Sequence, residues 1–310
     1  MSVTRLTDRD LLVELEPVAE QELRRHEEVA DEWFPHDYIP YSRGRDFDTD
    51  PWTPDQSRLT GVAQIAFEVN LLTEDNLPSY HREAYALFAG GDGAWINWVN
   101  RWTAEEGRHA IVLRDYLVVT RAIDPVALER ARMAQLTQGY HHGDQQALRG
   151  LAYVAFQELA TRISHRNTGR YSDDPVADRI MARIARDENL HMIFYRNLVT
   201  AVMHIDPSST VQAITDEVMA FEMPGAGMAN FRTKSARIAN AGIYDPRIHH
   251  DEIVWPLLRH WGVFDLEGLD PDAEQARDRL ATFLAELDAS ATRFEDKRAA
   301  RADRHAARVG

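Results

Sequence analysis

The chain has 310 residues, of which 44% are hydrophobic and 27% charged, a balance that suits a globular protein with a sizeable core. It contains no cysteine, which excludes disulfides, cysteine-ligated zinc, iron–sulfur clusters and thiol catalysis. A formal net charge of -15 argues against general nucleic-acid binding, and no apolar run is long enough to span a membrane.

The opening residues, MSVTRLTDRDLLVELEP, lack the apolar stretch of a signal peptide, so the expected location is cytoplasmic. Over residues 3–30, Leu6, Leu11, Leu12, Leu15 and Val18 recur at helical spacing. Residues 33–57 are rich in proline, aspartate, glycine and aromatics, which predicts an ordered loop wrapped over the surface. Four long helical patterns follow, over 56–87, 93–121, 145–167 and 174–204, with a shorter helix over 124–136. That helix opens with Asp124 as N-cap and Pro125 at the first helical position. Within the first long pattern, Pro78 has no N–H to offer the carbonyl of Glu74, so a kink or opening is expected there.

Residues 207–285 predict accessory helices, broken at MPGAGM (223–228) and YDPRIHH (244–250). Residues 286–310 read as a charged tail, helical or frayed. No strand pattern, phosphate loop or GxSxG occurs. The expected fold is all-α, one domain over 1–310 with its core helices at 56–204 and an N-terminal helix and loop at 1–55. Trp95, Trp98 and Trp102 recur at near-helical spacing and read as core or dimer contact. His141-His142 and His249-His250 read as surface residues.

Two segments repeat one pattern: Glu105-Glu106-x-x-His109 and Asp187-Glu188-x-x-His191. Positions i and i+3 share a helix face, so each Glu–His pair can address one ion. Fifty acidic residues and 13 histidines would yield about two such spacings by chance, so the pattern alone decides nothing. Its context does. Glu74 stands alone in an apolar helical stretch 32 residues before Glu106, and Glu158 likewise 30 residues before Glu188. Two such helix pairs pack into four helices presenting four glutamates and two histidines. That is the ligand set of ferritin-like bundles holding two iron or two manganese ions. Four converging carboxylates repel, and two divalent cations cancel them. Oxygen and imidazole donors without sulfur suit iron, with manganese also accepted. Glu105 and Asp187 would then accept the outer ring N–H of the histidines in a crossed arrangement, Asp187 with His109 and Glu105 with His191.

The segments LTEDNLPSY, WTAEEGRH, FQELATRISHRNTGR and DENLHMIFY resemble the soluble acyl-acyl-carrier-protein desaturases, most of all their actinobacterial members, over roughly residues 10–270. The resemblance implies a di-iron enzyme that inserts a cis double bond into a fatty acyl chain held on acyl carrier protein. It implies dioxygen as oxidant, electrons from a ferredoxin-type donor, and a homodimer. By motif match the metal ligands are Glu74, Glu106, His109, Glu158, Glu188 and His191. Thr161 matches a threonine beside the dioxygen site. Trp33, in WFPHDYIP, matches a tryptophan through which electrons reach His109 by way of Asp187. Gly107 departs from the family, where asparagine is common.

Arg232, Lys234 and Arg237 form a local basic run on an acidic chain and are candidates for docking the acidic carrier protein. Two other functions fit the same ligand set. One is another ferritin-like oxidase, such as a manganese/iron enzyme or a radical-bearing ribonucleotide reductase subunit with Tyr153 or Tyr195. The other is a non-enzymatic metal-binding bundle.

Overall fold

The computed structural model describes residues 7–59, 61–88, 93–141, 143 and 146–309. Leu6 and His142 lie outside them. Helix α1 (Asp8–Val29) starts at Thr7, whose hydroxyl accepts from the Asp10 amide, and it buries Leu12, Leu15, Ala19, Leu23 and His26 along one face. The segment after it carries three single 3-10 turns, Pro35–Asp37, Tyr41–Arg43 and Pro54–Gln56. It is pinned to the bundle rather than loose. Trp52 donates to the Arg121 carbonyl at 3.0 Å, and the buried Arg121 side chain donates back to Gln56 at 2.6 Å.

The central helices are α2 (Gly61–Glu74), α3 (Leu77–Phe88), α4 (Ala94–Val119), α5 (Pro125–Gln138), α6 (Ala147–Tyr171) and α7 (Pro175–Ile205). α6 and α7 pair along most of their length, α2 and α4 complete the four-helix core, and α1 lies across α4 and α7. The carboxylates of Asp124 and Asp174 cap α5 and α7 by accepting the first free amides, and a proline follows each at the first helical position.

The long pattern over 56–87 is two helices. The amides of Asp75 and Asn76 close α2 on Leu71 and Thr73, and Ser79 opens α3 on the Asn76 carbonyl. Pro78 therefore sits where it costs no helical hydrogen bond, and Glu74 becomes the terminal residue of α2, as the missing proline amide led one to expect.

Beyond the core come α8 (Pro207–Ala220), a 3-10 turn at Pro224–Gly227 and α9 (Phe231–Asn240). Then α10 (Pro246–Ile248) runs through a π-helical segment, His249–Val254, into α11 (Trp255–Trp261). The last helix, α12 (Pro271–Val309), spans 39 residues without a break, so the end of the accessory region expected over 207–285 and the charged tail expected over 286–310 are one helix. Arg247 ties it down through Asp288 at 2.6 Å and Glu295 at 3.1 Å. The surface reading of His249 and His250 is corrected. His250 is buried, and His249 stacks on Phe221 with its pKa pushed down to about 4 by burial and by His250. Trp95, Trp98 and Trp102 are core residues.

No strand occurs among the described residues, and no helix among them is long and apolar enough to cross a membrane.

Candidate metal centre

The four core helices deliver the twice-repeated motif to one place. Glu74 comes from the end of α2, Glu106 and His109 from α4, Glu158 from α6, and Glu188 and His191 from α7. All six are at most 6% exposed. They form two overlapping groups, Glu74, Glu106, His109 and Glu188, and then Glu106, Glu158, Glu188 and His191. Within each group one donor atom per residue lies within 4.8 Å of all the others. Glu106 and Glu188 belong to both, the arrangement two ions sharing two carboxylates require.

The hydrogen bonding tests whether cations fit. Buried polar atoms are normally paired. Here Glu106 Oε1, Glu158 Oε2, Glu188 Oε2 and His191 Nδ1 are buried with no hydrogen-bond partner. His191 Nδ1 is 2.9 Å from Glu106 Oε1 and 3.7 Å from both Glu158 Oε2 and Glu188 Oε2. His109 Nδ1 is 3.2 Å from Glu106 Oε2 and 3.6 Å from Glu74 Oε2. The two Nδ1 atoms each face several carboxylate oxygens at once, so the donor atoms of both groups crowd one buried region. The donor set fits two divalent cations of the iron or manganese type.

The outer nitrogens face the other way. His109 Nε2 is 3.3 Å from Asp187 Oδ2, and His191 Nε2 is 3.0 Å from Glu105 Oε2, in the crossed arrangement. Trp33 donates its indole N–H to the same Asp187 oxygen at 2.8 Å. Arg183 pairs with Asp187 and Arg101 with Glu105, each from one turn earlier in its helix. Arg108 sits between the two carboxylates, 3.7 Å from Glu105 and 3.6 Å from Asp187, and its guanidinium covers the Trp33 ring.

Three contacts escaped sequence reasoning. His26 of α1 is fully buried with Nε2 2.9 Å from Glu105 Oε2. His165 of α6 is buried with Nε2 2.7 Å from Glu74 Oε1 and 3.4 Å from Glu188 Oε1. Trp102 donates to Glu158 Oε1 at 3.1 Å. The signal for both histidines was present. His26 continues the apolar stripe of Leu12, Leu15, Ala19 and Leu23, and His165 lies two turns beyond Glu158 on the same face.

Burial and the neighbouring charges shift these groups strongly. Burial pushes Glu188 well above the usual carboxylate range, and Glu106 and Glu158 push it further. Burial also raises Glu106, against the pull of His109. Glu74, Glu105 and Asp187 go the other way. Burial opposes their ionisation, but hydrogen bonds from His109 and His165, from His191 and His26, and from His109 respectively hold them below it. Burial alone would lower His109 and His191. The carboxylates around them, Glu106 foremost for His109 and Glu105 for His191, raise both well above the ordinary imidazole value.

A cavity of about 320 Å3 opens beside the cluster. Glu74, Glu106, Glu188 and Thr161 form one wall, and Leu87 and Phe88 are among its apolar lining. The Thr161 hydroxyl donates to its own helix, to the Glu158 carbonyl at 3.0 Å and the Gln157 carbonyl at 3.2 Å. Tyr153 and Tyr195 also line the cavity, Tyr153 donating to the Glu222 carbonyl and Tyr195 accepting from Trp98. Pro224 lines it from the 3-10 turn that packs against α9. On α9, Arg232 and Arg237 are exposed, whereas Lys234 is tied to Glu68 at 2.9 Å.

An all-α bundle with this buried carboxylate–histidine cluster and an adjoining cavity defines a ferritin-like protein of the fatty acid desaturase kind. The fatty acid desaturase profile matches residues 7–309, and the chain belongs to that family. It is 48% identical over 313 aligned residues to DesA1 of Mycobacterium tuberculosis, a proposed acyl-acyl-carrier-protein desaturase, covering 97% of this chain and 92% of the relative. It is 31% identical to rice chloroplastic acyl-acyl-carrier-protein desaturase 7, covering 93% of this chain and 76% of the relative. The crystal structure of Mycobacterium tuberculosis DesA2, of the same proposed activity, superimposes with a TM-score of 0.69 at 34% identity. That match covers 86% of this chain and 98% of DesA2.

Proposed function

We propose that this protein is an acyl-acyl-carrier-protein desaturase with a two-iron centre. It converts a saturated –CH2–CH2– unit of the carried chain, one dioxygen, two electrons and two protons into –CH=CH– and two waters. The observation that carries the reading is the set of orphaned donor atoms of Glu106, Glu158, Glu188 and His191, buried beside a cavity with an apolar lining. No side chain can break an unactivated C–H bond, so the bound iron pair supplies the oxidising chemistry with dioxygen.

The chain's own residues do the rest. Glu74, Glu106, His109, Glu158, Glu188 and His191 hold the two ions. Asp187 and Glu105 accept the Nε2 proton of their histidines, which leaves each Nδ1 lone pair aimed inward. The cavity lays the acyl chain along Glu106, Glu188 and Thr161 and shuts water away from it. Trp33 and Asp187 carry electrons inward to His109 from a ferredoxin-type donor, and Arg232 and Arg237 receive the acidic carrier beside the cavity. The working assembly is a homodimer.

The test is metal analysis followed by a single turnover. The purified protein is assayed for iron and manganese, reduced, and given dioxygen with a saturated acyl carrier substrate. About two irons per chain and an unsaturated product are expected. Two metals with a stable tyrosyl radical and no product would move the assignment to another ferritin-like oxidase. Loading far beyond two would indicate storage.

A further inference from the structure

The ligands of the candidate centre repeat under an approximate twofold, but the donors that hold them do not. On the side of Glu74 and His109, an imidazole, His165, holds the terminal carboxylate Glu74 at 2.7 Å. An indole, Trp33, holds the outer carboxylate Asp187 at 2.8 Å. On the side of Glu158 and His191 the two are exchanged. The indole of Trp102 holds Glu158 at 3.1 Å, and the imidazole of His26 holds the outer carboxylate Glu105 at 2.9 Å.

Glu105 Oε2 takes two imidazole nitrogens, His26 Nε2 at 2.9 Å and His191 Nε2 at 3.0 Å. An ionised carboxylate only accepts, so both rings present N–H to it. With Nε2 committed to Glu105, the His191 ring is turned so that Nδ1 faces Glu106, Glu158 and Glu188. Arg101 grips the other oxygen, Oε1, at 2.6 Å. Without His26, Oε2 keeps one partner, and Glu105 is free to turn toward Arg101 and Arg108, both of which reach solvent. His26 is 0% exposed, stacked with an offset 5.8 Å from His191 and edge-on to Trp98 at 5.1 Å, so no water can take its place without repacking.

We propose that His26, supplied by α1 from outside the four core helices, is a positioning residue for one metal position only, that of Glu158 and His191. It acts by holding Glu105 in line with His191, and Trp33 does the corresponding work through Asp187 for the position of Glu74 and His109. This rests on the two-metal reading of the cluster, and the experiment separates the two claims.

Wild type, His26→Leu, His26→Gln and Trp33→Phe are loaded with 57Fe. Each is read by Mössbauer spectroscopy and by the rate of iron loss to a chelator, with thermal melts confirming folding. In His26→Leu, one of two irons should leave about 10–100-fold faster while the other keeps its wild-type rate, and only one quadrupole doublet should move. A glutamine amide can stand where Nε2 stands, so His26→Gln should restore most of the retention. Trp33→Phe should move the other doublet. Wild-type loss rates in His26→Leu, equal losses in the leucine and glutamine variants, or the same doublet moving in His26→Leu and Trp33→Phe would each overturn the inference. A wild-type protein that takes up no iron would instead overturn the metal centre itself.

Discussion

Trp33 and Asp187 are 154 positions apart in the chain and share a 2.8 Å hydrogen bond on the oxygen that also faces His109. The Arg108 and Arg183 guanidinium groups both lie over the indole, 4.9 and 5.5 Å from its ring centroid. Trp33, Asp187 and His109 thus form a hydrogen-bonded chain that ends at the candidate centre. Trp33→Phe keeps an aromatic ring and loses the N–H. Reduction of the loaded protein by a ferredoxin-type donor should slow at least about tenfold. Stopped-flow absorbance checks this, and an unchanged rate would remove Trp33 from the path.

The buried histidines set a pH dependence for the metal-free protein. His165 is raised to about 9 against the effect of burial, by Glu188 and Glu74, and His109 and His191 are also raised well above the ordinary value. A folded pKa above the unfolded one contributes stability that is complete below the unfolded value, about 6.5, and is lost as pH rises through the folded value. Glu188, also raised, works in the same direction. The depressed Glu74, Glu105 and Asp187 lose their contribution only at acid pH. Chelator-treated protein should therefore melt at progressively lower temperature from pH 6.5 to 9, at up to about 1.4 kcal/mol per pH unit for each histidine. Iron-loaded protein should show a much smaller slope, because the nitrogens of His109 and His191 are already unprotonated and only His165 is left to titrate. A rising melting temperature in the chelated protein over that range contradicts this account.

Metal uptake should release protons for the same reason. Calorimetric titration of the metal-free protein in buffers of different ionisation enthalpy should show net proton release, and the apparent affinity should climb with pH. Glu188→Gln should lose at least one of the two metals, since Glu188 belongs to both donor groups. It should also flatten the pH dependence of the chelated protein.

The basic run on α9 divides into clean and confounded probes. Lys234 already pairs with Glu68, so its reversal would break a contact within the protein. Arg232 and Arg237 are exposed. Arg232→Glu and Arg237→Glu should raise the Michaelis constant for the acyl carrier substrate several-fold with kcat little changed, and more at low salt than at high. A salt-independent or absent effect would place docking elsewhere.

Thr161 donates to two carbonyls of its own helix and also lines the cavity. Thr161→Val preserves shape and removes the hydroxyl. Metal content should stay at the wild-type level, while product formed per dioxygen consumed should fall. Full coupling in the variant would leave Thr161 as a helix contact only.

The sequence by itself determined the core helices, the Asp124 cap of α5 and the inward face of the twice-repeated unit, because each depends on contacts three or four residues apart. Glu106 with His109 and Glu188 with His191 are legible from i, i+3 spacing once Glu74 and Glu158 recur about thirty residues upstream, and the break after Glu74 from the missing amide of Pro78. The twice-repeated unit even allowed the crossed pairing of Asp187 with His109 and Glu105 with His191 to be expected. What only the tertiary structure decided is what lies behind those residues. His26 reaches Glu105 across 79 positions and His165 reaches Glu74 across 91. Both look locally like ordinary helix residues, and nothing nearby in the chain marks their partners. The same holds for His249, half-buried against Phe221 by packing between helices that the local pattern YDPRIHH cannot report. Periodicity shows which face of a helix turns inward. Which side chain it meets there depends on how the helices cross, and that is settled by the shape of the whole core.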